Sequence, residues 1–220
     1  MYIAIEGVIG VGKTTLARLL QPAFQAELLL EVFEENPFLS DFYADRDRYA
    51  FQTQIFFLLS RYHQQRRSVP DALQRSGNLI SDYTFEKDTL FARINLYGDE
   101  LEMYFRVHEA LAEKITLPDL IIYLRADTDV LMQRIAQRDR TYERNMECAY
   151  IDQLNQTYEQ VYLNPERARS QGVPILAIDT NELDFVRSMD NLAQVENRIR
   201  QALHLSPFQA ELPLDAAHEM

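Results

Sequence analysis

The stretch Gly7 to Thr15 constrains this chain more than any other. An apolar run, Tyr2 to Ile5, feeds a glycine turn, and an amphipathic helix opens at Lys13 or Thr14. Gly7, Gly12, Lys13 and Thr14 satisfy the spacing G-x-x-x-x-G-K-[ST]. Glycines at those places let the backbone N–H groups of Val8, Ile9, Gly10, Val11, Gly12 and Thr15 converge on phosphate oxygens, and a helix N-terminus adds positive potential. The spacing predicts that Lys13 reaches the β- and γ-phosphates and that the Thr14 hydroxyl ligates Mg²⁺. A plain glycine turn ahead of a structural helix is the bland alternative. The order strand, loop, helix argues against it.

The rest of the chain reads as strands alternating with helices. Apolar runs at Glu27–Glu31, Asn78–Asp82, Leu120–Leu124 and Pro174–Ile178 predict four further strands. Helices are expected over Thr14–Phe24, Arg48–Arg67, Phe85–Ile94, Asp99–Ile115, Asp127–Gln137, Glu147–Leu163 and Phe185–Leu203, with a short turn over Phe38–Tyr43. Pro70 to Leu73 either continues the long helix or begins a successor. Phe51, Ile55, Leu58, Leu59 and Tyr62 are its expected apolar face, and Asp127 the expected cap of its helix. This alternation implies an α/β fold: a five-stranded parallel sheet flanked by helices, with ligands beyond the carboxyl ends of the strands. Residues 1–205 are expected to form a single domain and 206–220 a loosely ordered tail.

Composition excludes several classes. No apolar run approaches the roughly 20 residues that cross a membrane. The loop begins too early to leave room for a cleaved leader, and a single cysteine, Cys148, suits a reducing cytoplasm. A net charge of −12 argues against a protein that coats nucleic acid.

Three sets of residues carry candidate chemistry. Glu31 and Asp82 each end a strand beside the loop, where a carboxylate accepts a proton or holds Mg²⁺; which does which stays open. Glu34 and Glu35 offer the plainer view that Glu31 is one more solvated strand end. Arg134, Arg138 and Arg140 cluster at the end of one helix, where convergent guanidiniums neutralise a transferring phosphoryl group under a closing lid, about residues 134–147. Cations at a helix C-terminus also suit its dipole. Gln54 and Arg61 share one helix face among aromatic residues, with Tyr43 nearby, and Phe57 or Phe91 could stack on a base.

This set resembles the deoxynucleoside kinase family, particularly its bacterial deoxyadenosine and deoxyguanosine kinase branch, from about Met1 to Asp184. The resemblance implies a P-loop kinase fold and ATP-dependent phosphorylation of a deoxynucleoside 5′-hydroxyl. It makes Glu31, in Glu31-Val32-Phe33, the match to a Glu-Pro-Val carboxylate that lies near that hydroxyl. Tyr43 and Glu143 match residues on the sugar 3′-hydroxyl, and Gln54 and Asp88 those that read the base, with Glu86 a weaker choice. The family's Asp/Glu-Arg-Ser motif appears as Asp82-Tyr83-Thr84. Its arginine, which holds the reacting hydroxyl or phosphate, is replaced by Tyr83 at the substrate side. Asp179 begins the loop that matches the family's adenine-embracing segment. ATP with Mg²⁺, no nucleic acid, no membrane and a homodimer built through long helices are the implied cofactors and partners. A nucleoside monophosphate kinase of the thymidylate kinase kind, or a nucleotide-binding regulator without turnover, are the alternatives.

Overall fold

The computed structural model describes residues 1–32, 36–144, 146–164 and 172–207, the Tyr142 side chain aside. Phe33, Glu34, Glu35 and the expected tail from residue 208 onward lie outside the described residues.

The apolar runs form β1 (Tyr2–Glu6), β2 (Glu27–Leu29), β3 (Leu79–Ser81), β4 (Leu120–Arg125) and β5 (Ile175–Asp179). They pair in parallel in the order β2-β3-β1-β4-β5. β1 is central and wholly buried, so its two faces are both apolar. Ile3 and Ile5 join the main core with helix α1 (Lys13–Phe24), whereas Tyr2 and Ala4 pack with Leu79, Val69 and Ala72 on the opposite face. The remaining helices are α2 (Leu39–Ala44), α3 (Arg46–Ser76), α4 (Lys87–Asn95), α5 (Gly98–Ala112), α6 (Thr128–Arg138), α7 (Cys148–Tyr162) and α8 (Met189–Ala202). A 3₁₀ turn, Thr141–Glu143, follows α6.

The structure settles or corrects four expectations. α3 is one helix straight through Pro70. An interior proline costs a backbone hydrogen bond, and here Val69 and Ala72 are held against the sheet on either side of it. The buried face of α3 also differs from the apolar pattern. Leu59 is exposed, while Thr53, Gln54, Arg61 and Gln65 are buried. The side chain of Asp127 does not cap α6; it accepts from Asn181 Nδ2 at 3.2 Å. Finally, Phe185 lies in a turn ahead of α8, where it packs near Gly12. Among the described residues no helix is long and apolar enough to cross a membrane.

Candidate active site

The carboxyl ends of β1, β2, β3 and β5 open into one cavity of about 850 Å³. Its floor is the glycine loop. Gly7 has φ +146°, and a Cβ there would lie 2.4 Å from the Leu124 carbonyl of β4, so only glycine lets the loop turn this close to the sheet. Gly12 precedes α1 at φ +103° and provides no capping side chain. The first-turn N–H groups of α1 therefore have no side-chain cap and suit an anion. Ile9 through Thr15 line the cavity; Gly7 and Val8 stand behind it and turn their carbonyls to Lys13 Nζ at 2.6 and 3.0 Å. Burial and the nearby Lys87 ammonium push Lys13 down to about 8, against the pull of Glu6, Glu31 and Asp82.

Asp82 joins the two halves of the site. Its Oδ2 accepts from the Thr14 hydroxyl and its Oδ1 from the Glu31 backbone N–H at 2.8 Å. It caps no helix; α4 starts after Glu86. Thr14 and Asp82 offer hard oxygens in contact, which suits Mg²⁺ completed by phosphates and water. Among the described residues no group of three or more His, Cys, Asp or Glu residues could hold a metal without such help.

Glu31 lies past the end of β2, beyond the sheet pairing. Its Oε1 is paired with Arg61 Nη2 and its Oε2 with Lys87 Nζ. Burial alone would raise this carboxyl, but Lys87 and Arg61 outweigh it and hold it well below the usual range. Arg61 also pairs with Asp88, so two cations and two carboxylates form a buried, neutral chain. Gln54 lies beside it on α3. Gln54 Oε1 and Asp88 Oδ2 are buried and take no hydrogen bond among the described residues. Such acceptors suit donors from a ligand or from water. Phe57, Phe91, Phe42 and Tyr43 line the walls.

The arginine cluster closes the far side. Arg134 donates to the Thr180 carbonyl at 2.6 Å and hydroxyl at 3.0 Å. Arg138 forks onto Glu143 at 2.6 to 3.2 Å, and Arg140 lies 3.7 Å from the same buried carboxylate. Glu143 and all three arginines line the cavity.

Three expected residues lie elsewhere. Tyr83 is fully buried among Tyr2, Ala4 and Leu79 and does not line the cavity. Its hydroxyl donates to Gln64 Oε1 while Gln64 Nε2 donates to the Leu30 carbonyl, so Tyr83 braces the segment that carries Glu31. An aromatic side chain is too apolar to leave the core where an arginine would reach out. Asp179 is exposed, with its Oδ1 on the Asn181 N–H; Asn181 to Arg187 line the cavity in its place. Glu86 is outside the lining too.

Sequence reasoning missed Lys87 and Glu6. Glu6 is buried at the end of β1 and accepts from the Thr84 N–H at 2.6 Å, the Thr84 hydroxyl at 2.8 Å and the Tyr158 hydroxyl at 3.3 Å. Burial raises its carboxyl, opposed by Lys87, Lys13 and the Thr84 bonds. It ties the glycine loop to the Asp82–Thr84 turn. A lone acid closing an apolar strand was the available signal.

With this geometry in hand, the family model for deoxynucleoside kinases matches residues 3–204. The chain belongs to the deoxynucleoside kinase family. It is 32% identical over 202 residues to deoxyguanosine kinase of Bacillus subtilis (strain 168), covering 92% of this chain and 97% of that protein. It is 26% identical to the deoxyadenosine/deoxycytidine kinase of the same organism, over 92% and 93% of the two chains. The solved structure of deoxyadenosine kinase from M. mycoides with bound dCTP superposes with a TM-score of 0.76 at 27% identity, covering 91% of this chain and 100% of that one. The resemblance, the P-loop kinase fold and the kinase activity toward deoxynucleosides expected from sequence are thus those of the family.

Proposed function

We propose that this kinase transfers the γ-phosphoryl group of ATP, with Mg²⁺, to the 5′-hydroxyl of a purine deoxynucleoside in nucleotide salvage. One observation carries the reading: a single cavity holds the glycine loop at one end and the Gln54–Arg61–Asp88 cluster at the other, with Glu31 between them. The O5′ lone pair attacks the γ-phosphorus in line, the bond to the bridging oxygen breaks toward ADP, and the hydroxyl proton passes to Glu31. Glu31 suits this role because it lies between the two halves. Asp82 is already engaged with Thr14, and those two oxygens would hold the ion, which screens phosphate charge when bound. Lys13 with Arg134, Arg138 and Arg140 stabilises the transferring group. Tyr43 and Glu143 hold the sugar 3′-hydroxyl. Gln54, Arg61, Asp88 and Phe91 take the base, while Asn181 to Arg187 border the donor adenine.

The neutral chain of Glu31, Arg61, Asp88 and Lys87 favours an uncharged nucleoside over a monophosphate, whose extra charge would need an unspent cation. The orphan acceptors Gln54 Oε1 and Asp88 Oδ2 favour a base that bears an amino group. Similarity to a deoxyguanosine kinase favours the purines. The test offers the four deoxynucleosides and their monophosphates with ATP and follows product on thin layers. Deoxyguanosine and deoxyadenosine should lead and thymidine trail. Faster turnover of a monophosphate would overturn the reading. We further propose that residues 1–205 act as one catalytic domain in the cytoplasm, and as a homodimer. Exposed Leu59 on α3 and Val32 beside it support the dimer, and light scattering on the full chain tests it.

A further inference from the structure

Lys87 occupies a position that structure alone does not favour. It opens α4, where the helix dipole repels a cation, and only 6% of its surface is exposed. A buried ammonium costs several kcal/mol unless well paired. Its Nζ meets Glu31 Oε2, and it lines the cavity beside the glycine loop. Lys13 lines the same cavity, so two ammoniums border one space from the donor and acceptor sides. An anion between them would relieve both. Meanwhile the residue after Asp82, where the family motif carries its arginine, is a tyrosine turned into the core.

We infer that Lys87 is a catalytic residue of the phosphoryl transfer and supplies, from the first turn of α4, the cation that Tyr83 cannot. The inference rests on the function proposed above. Before reaction its ammonium is tied to Glu31, which keeps that carboxylate a weak base. A γ-phosphoryl group in the cavity draws Lys87 off Oε2, and Glu31 becomes a better proton acceptor. As the O5′–phosphorus bond forms and the bond to ADP breaks, the proton arriving on Glu31 cancels the carboxylate charge. The Lys87 charge is then free for the phosphoryl oxygens.

The test compares wild type with Lys87→Ala, Lys87→Met and Lys87→Arg in the full chain, with ATP, Mg²⁺ and each of the four deoxynucleosides. Removing the cation should lower kcat by about 100-fold or more, with KM for both substrates within about threefold. Lys87→Arg should recover at least a tenth of wild-type kcat. Thermal unfolding confirms which variants are folded, and Lys87→Met preserves the buried stem if Lys87→Ala does not fold. A folded variant with kcat within threefold of wild type overturns the inference. Wild type that turns over none of the four nucleosides overturns the proposed function instead.

Discussion

The donor and acceptor halves of this cavity are built on opposite plans. The donor half is backbone: Gly7 to Thr15, consecutive in sequence, shaped by positive φ angles and closed by one helix N-terminus. The acceptor half is side chain: Glu31, Gln54, Arg61, Lys87, Asp88 and Glu143, brought together from four separate segments. A phosphate chain is the same in every nucleotide, so main-chain N–H groups suffice for it. A nucleoside must be told apart from others, which takes donors and acceptors of chosen kind and position. The first half should therefore fail through geometry and charge at the loop. The second should fail through loss of particular ion pairs.

The comparison breaks most sharply at Glu31, the residue between the halves. Glu31→Gln should lower kcat by about a thousandfold and leave ATP affinity within a fewfold, measured by steady-state kinetics and calorimetry. Lost ATP affinity would place Glu31 in the donor half and remove it as the proton acceptor. Next comes Arg138, which forks onto Glu143, the residue proposed for the sugar 3′-hydroxyl. Arg138→Ala should cost on the order of 2.7–4 kcal/mol in the barrier, or about a hundredfold or more in kcat. A kcat within a fewfold of wild type would exclude the lid arginine from the chemistry.

Smaller effects sharpen each half separately. Lys13 sits at about 8 in the free protein, and bound phosphates should return it toward its ordinary value of 10.5. Its ammonium therefore loses its proton as pH rises through 8 in the free protein, and ATP binding near pH 8.5 should take up a proton. Calorimetry in two buffers of different ionisation enthalpy measures that uptake. Affinity should fall roughly tenfold between pH 7 and 9. Equal heats in the two buffers would refute it. On the acceptor side, Tyr83→Phe removes the bond to Gln64 and should cost about 1 kcal/mol, a fall of about 2–4 °C in Tm. Because Gln64 holds the Leu30 carbonyl, a small loss of kcat should accompany it with ATP affinity unchanged. Weakened ATP affinity would mean that the brace serves the donor half.

How much was readable beforehand follows the same division. The loop, the parallel sheet and Asp82 could all be located because each depends on local spacing and strand periodicity. The buried face of α3 could not. Its pattern points to Leu59, yet Gln54, Arg61 and Gln65 are inside, and Arg61 is there with its charge neutralised by Glu31 and Asp88, both distant in sequence. Asp179 was read into the site by its match to the family's adenine-embracing loop, while the cavity is bordered two residues further on.

By itself, then, the sequence determined a phosphate loop at the head of an α/β chain and nominated carboxylates and arginines near it. Short-range steric and hydrogen-bonding rules suffice for that. Only the tertiary structure decided that Tyr83 faces the core, that Lys87 faces the cavity, and that Glu31 is shared between two cations. Those outcomes depend on charges separated by 30 and 56 residues meeting away from water. The energy of such a meeting is set by burial and distance, neither of which a one-dimensional pattern contains.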